Sequence, residues 1–163
     1  MPSNFISVLS VILFFLFIFS PTANANGNYR LYEQVSDKTL AEILEDIEFA
    51  LTERNLKVVN KLHIGTGIQS RGYEDFPEYE IILYCNLEFA RKMLEYNPSS
   101  INTCPGKITV RKNIDNYLIS ASLWPEDNNH PDLDRLMYNM NILIREVVDF
   151  AALEWLDIHN EQD

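Results

Sequence analysis

Hydrophobic and polar positions change period several times along the chain, and each change marks an element. Tyr29 to Val35, YRLYEQV, alternates aromatic and branched residues with polar ones, the period-two pattern of a strand. Ser36 or Asp37 can then cap a helix. Leu40, Ile43, Leu44, Ile47, Ala50 and Leu51 follow at the spacing of one helical face, with Glu42, Glu45, Asp46 and Glu48 largely off it. The spacing predicts a helix from Lys38 to Arg54, stopped at Asn55. Leu56 to Ile64 is a second strand. Gly65 to Tyr79, GTGIQSRGYEDFPEY, shows no period and is expected to be a long loop, a kind of segment that often carries function.

Tyr79 to Cys85 is apolar on both faces along its centre, as in an interior strand. Asn86 can cap a short helix, Leu87 to Tyr96. Pro98 ends it, because a residue before proline is biased away from helical geometry. Lys107 to Lys112 and Tyr117 to Leu123 read as two strands joined by a turn at Asp115-Asn116. After a polar loop that starts at Trp124, Pro131 opens the last helix. Its apolar stripe runs from Leu133 through Met140, Ile144 and Val148 to Trp155. If unbroken to Ile158, that helix is about 40 Å long at 1.5 Å per residue. Such a length exceeds what a domain of this size normally buries on itself, so its tail is expected to extend past the sheet or to touch another copy of the chain.

The order β-α-β-β-α-β-β-α predicts an α+β two-layer sandwich, with a mixed five-stranded sheet and helices on one face. The two short β-turn-β links should be antiparallel, and the βαβ links parallel crossovers wherever their strands are neighbours.

The first residues stand apart from this pattern. Phe5 to Phe19 is uncharged and apolar over 15 residues, shorter than the roughly 20 that a span needs. Ala23-Asn24-Ala25 fits the small-x-small site of a secretory signal. Residues 1–25 are therefore expected to be a signal peptide cleaved after Ala25, with an uncleaved anchor as the alternative. Residues 26–163 then form one exported domain, periplasmic or secreted, with no membrane association after cleavage. The net charge of −11 falls entirely on that domain. It argues against nucleic acid and anionic lipid, and leaves a small molecule or a basic protein as partner.

An oxidising compartment changes the meaning of the two cysteines, Cys85 and Cys104. A plain parallel crossover would separate them by a strand length, about 17–20 Å. A loop at Asn97 to Thr103 that returns across the sheet would bring them together. A structural disulfide, two separate thiols and a redox pair all remain open at this point. Cys85 stands next to a helix N-terminus, which lowers a thiol pKa, but no C-x-x-C spacing is present. A metal site is not expected, because His63, His130 and His159 do not stand at ligand spacing to a cysteine.

Candidate ligand-binding residues are His63 at a strand end, Arg71, Tyr73 and Phe76 in the glycine-containing loop, and Asn86. Gly65-Thr66-Gly67 lacks the rest of a phosphate-loop pattern. No motif arranges catalytic residues and no cofactor is expected. Asn141, at the edge of the last apolar stripe, is a candidate buried polar contact.

The residues Tyr84-Cys85-Asn86, Ala90, Met93, Pro98, Cys104-Pro105, Ile108 and Val110 resemble the central signature of the domain of unknown function 302 family. Arg111 departs from it, where many members carry Tyr. The resemblance implies an α/β two-layer domain and a homodimer, and no established reaction or catalytic residue. These readings together favour a non-enzymatic small-ligand or protein-binding module. The alternative is a thiol-redox or cofactor-linked protein using Cys85 and Cys104.

Overall fold

The computed structural model describes residues 30–126 and 128–154. The elements are β1 (Leu31–Ser36), α1 (Leu40–Glu53), β2 (Lys57–His63), α2 (Ile64–Gln69), β3 (Tyr79–Cys85), α3 (Leu87–Tyr96), a 3-10 helix (Pro98–Thr103), β4 (Gly106–Lys112), β5 (Tyr117–Ser122) and α4 (Pro131–Ala152). The predicted order is present, with α2 and the 3-10 helix inserted into it. The expected signal segment lies outside the described residues.

The five strands form one sheet in the order β1-β5-β4-β3-β2. Every neighbouring pair is antiparallel, which corrects the expected mixed sheet. The reason lies in two connections. β1 and β2 run the same way but occupy opposite edges, so α1 links strands that never pair. Between β3 and β4, α3 rises about 15 Å and the 3-10 segment covers about 12 Å. A return of that size brings the chain back to the end of the sheet it left, and β4 starts there. Its register places Gly106 opposite Tyr84 and Ile108 opposite Ile82.

Local chemistry fixes the helix starts. Thr39, rather than Ser36 or Asp37, caps α1 in a reciprocal box: the Glu42 carboxylate accepts from the Thr39 amide at 2.9 Å. Asn86 caps α3 as expected, its side-chain oxygen accepting from the Phe89 amide at 2.9 Å. The helix α4 ends at Ala152, earlier than the predicted Ile158. Ala151 is still buried while Leu153 is 60% exposed, so the apolar surface that supports the helix has ended. At 22 residues the helix is about 33 Å long rather than about 40 Å. Trp155 and Ile158 lie outside the described residues.

One face of the sheet carries the core. Ile82, Tyr84, Ile108, Val110, Ile119 and Ala121 point from it into Ile43, Ile47, Leu51, Met93, Met137, Ile144 and Val148 of α1, α3 and α4. The opposite face shows Leu31, Val35, Lys107 and Arg111 to solvent. Among the described residues no helix is long and apolar enough to cross a membrane.

Candidate functional site

The antiparallel return sets the main geometry. Cys85 closes β3 and Cys104 precedes β4 at the same end of the sheet, and their Sγ atoms are 3.5 Å apart. Both are unbonded thiols, each half-buried. The thiol of Cys104 is pushed up to about 11, first by burial and then by the adjacent Cys85.

Around them is a crevice of about 10 Å³, lined by Leu56, Tyr84, Cys85, Asn86, Phe89, Cys104, Trp124 and Met140. That is room for one water-sized occupant. Two polar atoms of these side chains are buried without a protein partner: Tyr84 Oη and Trp124 Nε1. Tyr84 is 1% exposed, and burial, with Cys104 nearby, drives its phenol well above the usual range. It is held neutral and can donate.

The walls are built by close aromatic packing. The Trp124 ring meets Tyr84 edge-on at 5.9 Å and Phe89 at 5.4 Å. This packing depends on the absence of a side chain at Gly106. A Cβ there would lie 2.5 Å from Tyr84 Cζ and 2.7 Å from Trp124 Cη2. From the other side, Asn141 of α4 holds the Trp124 backbone at both ends. It accepts from the Trp124 amide at 2.9 Å and donates to the Trp124 carbonyl at 3.0 Å. A further bond from Asn141 to the Glu126 carboxylate, at 2.6 Å, completes the clamp. The expectation of a buried polar role for Asn141 thus finds its partner.

The structure divides the sequence-predicted residues into two groups. Cys85, Cys104 and Asn86 share the crevice; Asn86 also donates to the Asn55 carbonyl at 2.9 Å. His63 belongs to the other end of the sheet, five β3 positions away, a distance of about 17 Å. There its Nδ1 meets the buried Glu80 carboxylate at 2.6 Å. Arg71, Tyr73 and Phe76 lie beyond it, in a segment that is not the expected long loop. Ile64–Gln69 is helical, so Gly65-Thr66-Gly67 is a helical turn rather than a phosphate loop. Arg71 donates to the Gly67 carbonyl. Phe76 packs on Tyr79 at 5.5 Å, and Tyr73 is 66% exposed. His130 caps α4 and packs at a tilt against Tyr96, with ring centroids 4.6 Å apart, while His159 lies outside the described residues. The sequence reading missed Tyr84, Phe89, Gly106, Trp124 and Met140. Gly106, directly after Cys104-Pro105 and opening a strand, was the available signal for a close ring contact.

The family model described as domain of unknown function DUF302 matches residues 32–124, which include both cysteines and end at Trp124. The chain belongs to the DUF302 family. A crystal structure of an uncharacterized conserved DUF302 protein from Bacillus stearothermophilus has the same fold, with a TM-score of 0.68 at 18% identity. The match covers 76% of this chain and 98% of that one. No curated protein matches the chain.

Proposed function

We propose that this DUF302 domain is an exported, non-enzymatic binding module whose ligand site is the thiol-lined crevice. The observation that carries this reading is the pair of buried atoms without protein partners, Tyr84 Oη and Trp124 Nε1, both on residues that line one small void. Buried polar groups are nearly always paired, so two such atoms beside two thiols favour a guest that pairs them. The size of the void restricts that guest to an ion, a water-sized molecule, or one inserted group of something larger. Export is supported by the apolar Phe5–Phe19 run followed by Ala23-Asn24-Ala25.

The test is native mass spectrometry of the protein purified under reducing, chelator-free conditions. A retained mass is expected in the wild type and in the doubly substituted Arg71→Ala/Tyr73→Ala protein, and is expected to be reduced in Trp124→Phe. Retention that survives Trp124→Phe but disappears in the double variant moves the site to the other end of the sheet. No retained mass in any of the three counts against a binding module.

The 3.5 Å separation of the sulfurs favours a second reading, a reversible dithiol. Cys85 would attack the disulfide of a small thiol compound, and Cys104 would then displace the remaining half. The protein gains one disulfide and two small-molecule thiols leave, with no net electron unaccounted for. Cys85 directly precedes Asn86, the N-cap of α3, and the positive end of that helix suits it to the attacking role. Free-thiol titration across a graded series of glutathione buffers checks it. A pair that stays reduced throughout the series refutes it.

A further inference from the structure

We propose that the crevice is a site for a soft monovalent cation, copper(I) or silver(I), held by Cys85, Cys104 and Met140. This rests on the crevice reading above and names its ligand. Three of the eight residues that line the void carry sulfur. The described residues hold no cluster of three or more His, Cys, Asp or Glu side chains suited to a metal. A tetrahedral zinc or an oxygen-ligated ion therefore finds no ligand set here. Two thiolates and a thioether form the set that selects copper(I).

Size and charge agree with that choice. With the zinc–thiolate length of about 2.3 Å taken for copper(I), two sulfurs stand about 4.6 Å apart around a linear ion and about 4.0 Å apart around a trigonal one, and somewhat farther around the larger silver(I). The sulfurs start at 3.5 Å. Trigonal binding needs about 0.5 Å of opening and linear binding about twice that, which makes Met140 the deciding third ligand.

The ion replaces both thiol protons, which leave to solvent, and no electron moves. The product, two thiolates around one monovalent cation, carries a net charge of −1. A buried anion needs donors, and two residues that line the void carry buried, unpartnered donors, the Tyr84 hydroxyl and the Trp124 indole N–H. Phe89 and Trp124 supply walls that keep water from the site.

The experiment is an anaerobic titration of reduced protein with copper(I), in competition with a chromophoric copper(I) chelator. A Trp155→Phe background leaves Trp124 as the single indole. One equivalent is expected to bind and to quench Trp124 emission, and zinc(II) is expected not to displace it. Met140→Leu and Trp124→Phe should each weaken binding about 10-fold, and Cys85→Ser or Cys104→Ser by more than the roughly 10–100-fold cost of outer-shell changes. Met140→Leu nearly conserves volume and so tests the site even where a cysteine variant fails to fold.

Absence of binding at one equivalent overturns the proposal. So does binding that leaves Trp124 emission unchanged and is indifferent to Met140→Leu, since the ion would then sit on the outer thiols alone. If copper(I) fails while the natively retained mass still depends on Trp124, the metal assignment falls and the binding reading stands. If both fail, both fall.

Discussion

Tyr84→Phe separates a functional hydroxyl from a structural one. The substitution removes a single oxygen, on a side chain 1% exposed, that has no protein partner. The ring stays, so the packing of Tyr84 over Gly106 and against Trp124 is kept. Tyr84→Ala would instead lose the ring, at about 3–5 kcal/mol. A buried hydroxyl without a partner costs about 1–3 kcal/mol, and one water in the void offsets most of that. The metal-free phenylalanine variant should therefore be as stable as the wild type, or more stable by up to about 1 kcal/mol. For a domain of this size that gain raises Tm by about 3–5 °C. The assay is urea unfolding of reduced, metal-free protein, with an unchanged m-value as the check that the fold is the same. In the copper(I) titration the same variant should lose about 10-fold in affinity. The two effects have opposite signs, and that opposition is the test. A metal-free protein destabilised by more than about 1 kcal/mol would show that the hydroxyl makes a structural hydrogen bond, and would refute its assignment to the site.

Gly106→Ala forces a methyl to 2.5 Å from the Tyr84 ring; it should cost about 2–3 kcal/mol and red-shift Trp124 emission as the aromatic wall opens. Asn141→Leu leaves the Trp124 amide and carbonyl unpaired and should destabilise by about 2–3 kcal/mol in chemical unfolding. Tyr117 has its pKa raised from 10.0 to about 12, by burial first and then by donation to the Glu78 carboxylate. The folded state thus holds the phenol proton more tightly, and stability present below pH 10 should decline as pH rises toward 12. The full difference is about 2–3 kcal/mol, and Tyr117→Phe should flatten that slope; an unchanged alkaline slope in the variant refutes the assignment. Amino-terminal sequencing of the exported protein should begin at Asn26, and an intact amino terminus would favour a retained anchor.

The sequence made the individual elements legible because local chemistry encloses them. Asn86 and Pro98 bracket α3, and its bounds follow directly from a cap and a proline. Where local chemistry is ambiguous, the reading failed. Ile64–Gln69 contains two glycines within six residues, a weak helix that tertiary contact supports: Gly65 packs so closely on Pro77 and Tyr79 that a Cβ would clash. Strand direction was not legible either, because it turns on the 3-10 segment that carries the chain back after α3. The meeting of Cys85 and Cys104 depends on the same return. Spacing alone left them a strand length apart or in contact, and the register of β3 with β4 decides for contact.

The thiol end is also where several rules that predict stability are broken together. A strand opens with glycine. A tyrosine and a tryptophan are buried with their polar atoms unpaired, and two thiols touch without a bond. Each feature alone is an ordinary imperfection of a core. Together they belong to residues that line one void or, for Gly106, pack on its lining rings, and packing does not require that, since Leu56, Phe89 and Met140 already supply an apolar lining that a larger aliphatic residue could close. Sequences tend to depart from local consistency where function requires it. At the other end of the sheet three of the four candidate residues already have protein partners, His63 with Glu80, Arg71 with the Gly67 carbonyl and Phe76 with Tyr79, and the fourth, Tyr73, is 66% exposed. Groups already paired have little left to offer a ligand. The unpaired donors on the residues that line the crevice do, so the crevice, not the residue 65–79 segment, is the better place for a ligand.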